Sequence, residues 1–225
     1  MFRKIQELRL LKAIVQLSKN PLQTKYVYRI GDTMLDMVSA EEVAKHTLTA
    51  LAYPGFKELW EERYYTPLYD VKALSAYPAN TLAHHYGIFM HKHKFTPDWY
   101  PYREGPELLT YLRNRWYQVH DTFHTLTGFD GQGFGEIGVQ AFYMGQMPDQ
   151  PFPCAVLSSA FLTALERTPA ERRKLLEIIN IGYAMGKNAK PVLFRKLEND
   201  WNTDISTLRE EMRIQPYAEG IHSIS

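Results

Sequence analysis

The sequence runs to 225 residues, 45% of them hydrophobic and 23% charged, which excludes long disorder and leaves room for one sizeable core. Thirteen glycines and thirteen prolines are ordinary usage, so collagen-like and low-complexity classes fall away. Lysine plus arginine (26) nearly cancels aspartate plus glutamate (25), and this balance gives no reason to expect a nucleic-acid partner. The single cysteine, Cys154, rules out an intrachain disulfide and a cysteine-rich zinc site, and it fits a reducing compartment.

The predicted elements are helices throughout. Residues 2–18 place Phe2, Ile5, Leu8, Leu11, Ile14 and Val15 at helical spacing, with Arg3, Lys4, Arg9 and Lys12 against Glu7 alone. Residues 1–20 are expected to pack on the core, with a membrane-surface or dimer-packing helix as the alternative. Further helices are expected over 32–51, 55–65, 80–94, 106–127, 136–146, 154–165, 169–187 and 204–214, separated by proline and glycine turns. His84, His91 and His93 have no carboxylate near in sequence and read, with His85, as solvated or helix-end residues. Cys154, beside an apolar helix, reads as a buried thiol, and the run from Glu171 to Lys174 as a solvated helix face. Between Glu136 and Glu166 the apolar run is split by Pro148, Asp149, Pro151 and Pro153, so no stretch reaches the roughly 20 residues needed to span a bilayer. The reading is one all-α domain over residues 1–225, a single-domain bundle of eight to nine helices.

The helix over 106–127 is the best defined. Gly105 is expected at its N-cap and Pro106 at its first position. Leu108, Leu112, Trp116, Val119, Phe123 and Leu126 form an apolar stripe expected to bury one side, and Gly128 is a natural left-handed stop. His120 and His124 stand four apart, so their imidazoles share one face and can converge on a divalent ion. Four glycines between Thr127 and Gly135 let the chain reverse, and Glu136 then opens a second apolar helix. If that helix packs antiparallel to the first, Glu136 returns near His124 as a third ligand. Asp121, about 100° further round, is free to bind the ion, orient a histidine or act as a base. The glycine-rich segment lacks the lysine and the preceding strand of a phosphate loop, and Asp121 stands where a zinc protease carries glutamate.

His120-Asp121-x-x-His124, eleven residues and then Glu136 resemble the signature of the ubiquinone (coenzyme Q) biosynthesis protein 4 family. Leu126, Gly128 and Gly135 fit the same pattern, as do Tyr86 with Thr96-Pro97-Asp98, and Trp201, Leu208, Arg209 and Glu210 near the C-terminal end. Where members often read Gly-Arg-Glu-Tyr, this chain reads Ala83-His84-His85-Tyr86, so only the tyrosine is matched. The resemblance implies an all-α fold and metal ligands at His120, Asp121, His124 and Glu136. It also implies a role in making a prenylated quinone, at a membrane face and beside partner enzymes of a biosynthetic complex. Two activities are compatible with it. One is replacement of the ring carboxyl of a polyprenyl-hydroxybenzoate by a hydroxyl; the other is a non-catalytic scaffold that binds the lipid. No leader is evident, which points to a bacterial-type member on the cytoplasmic face, and a mitochondrial inner-membrane location follows if the source is eukaryotic.

A prenyl tail needs a long apolar slot, since each buried methylene contributes about 0.8 kcal/mol. The expected slot lies between the two helices after Glu136, using Ile137, Val139, Phe142, Met144, Met147, Val156, Leu157, Phe161 and Leu162. Asp121 and Glu136 are the expected catalytic groups, and Tyr86, Tyr117, Phe142 and Met144 the expected substrate contacts. The expected cofactor is a divalent metal, zinc first, with iron or another redox metal compatible with two histidines and a carboxylate. The expected partners are a prenylated quinone precursor, a peripheral membrane surface, quinone-biosynthesis enzymes and a second copy of the chain.

Overall fold

In a computed structural model, residues 2–105 and 107–218 are described, and the chain is all-α. The helices are α1 (Phe2–Lys19), α2 (Lys25–Met37), α3 (Ala40–Leu51), α4 (Phe56–Glu61), α5 (Val71–Ser75), α6 (Leu82–His93), α7 (Leu108–Thr127), α8 (Phe134–Gln146), α9 (Phe152–Ala164), α10 (Pro169–Asn188) and α11 (Ile205–Met212). A 3₁₀ turn, Leu197–Asp200, precedes the last.

Helix α7 is the axis of the fold. Every residue in it except Gln118 is buried, not one side alone. Several of its polar residues survive burial because loops and neighbouring helices satisfy them. Tyr111 Oη donates to the carbonyls of Leu59 (2.9 Å) and Tyr64 (2.8 Å). Arg115 donates to Thr66 Oγ1 and the Arg195 carbonyl, and Arg113 to Asp32. Gly128 adopts φ 74° and returns its N–H to the His124 carbonyl, so the expected stop is present. The N-cap is Glu107 and not Gly105; Pro106 lies outside the described residues.

The single helix expected over 32–51 is two. Val38 is extended, and Ser39 caps α3 reciprocally with Glu42, a Ser-x-x-Glu box that outcompetes the continuing helical period. Cys154 is exposed, contrary to expectation: it stands on the outer face of the first turn of α9, while Pro153 and Leu157 face inward. Glu171 is more than a solvated charge, since it forms the capping box of α10 with Thr168.

Helices α8 and α10 meet through glycines. A Cβ on Gly186 would lie 2.1 Å from the Phe142 carbonyl oxygen, and one on Gly182 would lie 2.4 Å from that of Gly138. The main core fills the space around α7, and a smaller cluster joins α1 and α2 through Ala13, Ile14, Leu17, Tyr26 and Ile30 and leans on α9. Helix α1 therefore splits its apolar residues. Ala13, Ile14 and Leu17 are buried, while Ile5, Leu8, Leu11 and Val15 are 41–67% exposed.

Candidate metal centre and the cavity beside it

The hairpin of α7 and α8 builds the site. Asp130, Gly131 and Gly133 reverse the chain between the helices. Gly133 takes φ 55°, and a Cβ on Gly135 would sit 1.8 Å from the Asp130 carbonyl oxygen, so only glycine fits there. The reversal returns Glu136, in the first turn of α8, to the level of His120 and His124, as an antiparallel pairing requires.

His120 Nε2 lies 3.2 Å from His124 Nε2 and 3.2 Å from Glu136 Oε2, and His124 Nε2 lies 3.4 Å from Glu136 Oε1. A tetrahedral ion with bonds of about 2.0–2.1 Å holds its ligands about 3.3–3.4 Å apart. The three side chains fit a divalent metal on spacing and on donor chemistry. His124 Nδ1 is 3.1 Å from the Phe129 carbonyl, so donating that N–H leaves Nε2 with its lone pair towards the cluster. The phenyl of Phe89 stacks on His124 at 5.3 Å and the ring of Tyr143 on His120 at 6.1 Å, which fixes both imidazole planes.

Charge follows from burial and pairing. Burial opposes ionisation of Glu136, but the imidazoles of His124 and His120 outweigh it and hold the carboxyl well below its usual range. Burial likewise opposes charge on His124, and the Glu136 carboxylate reverses the balance and raises it. Asp121 is 5% exposed; burial pushes it up to about 6 against the pull of both histidines. Asp121 stands beside the cluster and does not join the three donors that lie mutually within 4.8 Å.

A cavity of about 600 Å³ opens from this cluster. His120, Asp121 and Glu136 are part of its lining, and Trp116, Tyr117, Ile137, Phe152, Val156 and Leu157 form apolar wall. Leu17, Leu22 and Val27 close it from the α1–α2 hairpin. The cavity lies against α8 and α9, with the N-terminal hairpin as a further wall. Of the expected substrate contacts, Tyr117 lines the cavity. Tyr86 is buried against Trp201 (5.2 Å), Phe142 is fully buried against Phe123, and Met144 is half-buried off the cavity wall. Val139 and Met147 also belong to the core, and Phe161 and Leu162 face outwards.

Sequence reasoning missed Tyr143, Phe89 and the Phe129 carbonyl. Tyr143 carried a signal, since it follows Glu136 by seven residues and so shares its helix face; Phe89 carried none, because α6 reaches the site only through the tertiary fold. His93 Nε2 meets Asp130 Oδ1 at 2.7 Å, a carboxylate supplied by the α7–α8 loop rather than by nearby sequence.

The model of the family described as Coenzyme Q (ubiquinone) biosynthesis protein Coq4 matches residues 60–218, a span that holds the whole cluster. The chain belongs to the Coq4 family. A COQ4 homolog of Xenopus laevis, named a mitochondrial ubiquinone biosynthesis protein, is 31% identical over 156 residues, covering 68% of this chain and 54% of the relative. Its Mus musculus counterpart is 30% identical over 158 residues, covering 69% and 58%. The chain therefore spans little more than half the length of these Coq4 relatives. A crystal structure of a candidate ubiquinone biosynthesis protein from Nostoc punctiforme superposes with a TM-score of 0.77 at 25% identity, covering 92% of this chain and 97% of that one. That likeness includes much of the region before residue 60, which the Coq4 family match leaves out. Among the described residues no helix is long and apolar enough to cross a membrane.

Proposed function

We propose that this chain acts in ubiquinone-type quinone biosynthesis, holding a polyprenylated aromatic precursor with its ring at a divalent metal bound by His120, His124 and Glu136. The observation that carries the reading is the convergence of these three donors beside a largely apolar cavity of about 600 Å³, which His120 and Glu136 line. The reaction it favours is oxidative decarboxylation. Exchange of a ring carboxyl for a hydroxyl releases carbon dioxide and takes up one oxygen atom, so it consumes an oxidant. A bound divalent metal would supply Lewis-acid stabilisation of the carboxylate and, if redox-active, a path for electrons to oxygen.

The chain's own residues have separate tasks. Leu17, Val27, Val156 and Leu157 hold the tail and exclude water. Phe89, Tyr143 and the Phe129 carbonyl keep the imidazoles in register. Asp121, buried at the ring end, carries a proton to or from the substrate. A scaffold without catalysis remains the second reading, because an ion at this hairpin would tie α7 to α8 whether or not chemistry follows.

The membrane contact we propose uses the exposed stripe of α1, Ile5, Leu8, Leu11 and Val15, flanked by Arg3, Lys4, Arg9 and Lys12.

Elemental analysis of the native protein, with mass spectrometry of lipid extracted from it, tests the whole reading. A stoichiometric divalent metal and a prenylated ring are expected, and His120→Ala and Glu136→Ala are expected to lose the metal. Wild-type protein free of both would refute the proposal. Turnover that is equal after anaerobic loading with zinc or iron would remove a redox role for the ion. No turnover with either, with lipid retained, would favour the scaffold.

A further inference from the structure

Gln140 is 6% exposed and lies four residues after Glu136, on the same face of α8 and one turn further from the cluster. It lines the large cavity, and its Oε1 has no hydrogen-bond partner. On α7, Trp116 stands one turn before His120, is 4% exposed, lines the same cavity, and has an indole N–H that is also unpartnered. The helices run antiparallel, so the two residues come to one level; Tyr143 Oη, donating to the Trp116 carbonyl at 3.2 Å, ties the helices there. The lining around them is apolar: Ile137, Phe152, Val156 and Leu157.

A buried polar group without a partner is a standing penalty that a ligand can relieve. The amide can turn over, offering either its oxygen or its N–H, and the indole offers only a donor. A hydroxyl, which both donates and accepts, matches this pair whichever way the amide is turned. The level lies about 5.4 Å from the cluster, one helical turn, which suits an aromatic ring held at the cluster by one substituent and read at the other.

We propose that Gln140, with Trp116 beside it, selects a ring hydroxyl on the aromatic head group, and so sets the specificity of the site for phenols. This rests on the reading of the cavity as a site for prenylated rings.

The test uses the purified full chain and three probes: 3-farnesyl-4-hydroxybenzoate, its 4-methoxy ether, and 3-farnesylbenzoate without the oxygen. Binding is read by quenching of tryptophan fluorescence, since Trp99 and Trp116 line the cavity. Wild type should hold the phenol about tenfold or more tighter than either analogue, the effect of one well-made buried hydrogen bond. Gln140→Leu and Gln140→Met, both close in volume, should bring that ratio towards one without weakening the deoxy probe. Because each removes an amide whose oxygen has no partner, neither should lower the Tm of the free protein. A ratio near one in wild type, or an unchanged ratio in both variants, would overturn the proposal alone. Binding of none of the three rings would overturn it together with the reading of the site.

Discussion

At the scale of single residues, the environment of a carboxyl decides its work. Glu136 ionises readily because two imidazoles face it, while Asp121, one position from His120, is pushed towards neutrality by burial. Glu198, far from the site, shows the same logic in a measurable form. Burial pushes it up to about 7, the Asp200 charge adds to this, and the Tyr64 hydroxyl donates to its carboxyl. The folded state then keeps a proton that the unfolded chain has released, so between about pH 4.5 and 7 stability falls as pH rises. The contribution is complete below that window and lost above it. Glu198→Gln, which keeps the neutral form, should be more stable than wild type at pH 8 by on the order of 2 kcal/mol and equal to it near pH 4. Thermal melts across pH check this, and parallel curves for the two proteins would contradict it.

At the scale of elements, α8 meets α10 by close backbone approach. Its contact with α10 depends on Gly145, Gly182 and Gly186. Gly186→Ala should destabilise by about 1–3 kcal/mol despite better helix propensity, because the added methyl meets a carbonyl oxygen rather than a yielding side chain. Denaturant unfolding measures it, and a gain in stability would show that the helices can part. The α7–α8 hairpin was legible because its signals are local: four-residue histidine spacing, a run of glycines, and a glutamate opening the next helix. The break at Ser39 was equally local, but a helical period spans it and hid the Ser39–Glu42 box. Helix α5 and the first part of α2 were missed, since Val71–Ser75 is too short to show a period.

At the scale of the whole molecule, α1 has two apolar faces and one is uncovered. Replacing Leu8 and Leu11 by glutamate should leave the Tm unchanged, as both are more than half exposed. It should also abolish the co-sedimentation with anionic phospholipid vesicles that is expected of wild type and expected to weaken with salt. Retained vesicle binding would remove α1 from the membrane contact, and a loss of dimers in sedimentation would instead assign the stripe to a second copy.

The sequence by itself determined the helical class, the central α7 and the three side chains that could hold a metal ion, because each is written in spacing within some twenty residues. The tertiary fold alone decided the rest. It brought Phe89 onto His124, placed Asp130 against His93, made the α1–α2 hairpin a cavity wall and withdrew Phe142 and Tyr86 into the core. These outcomes depend on which of several apolar faces meets which, and that choice is settled by packing between segments distant in the chain.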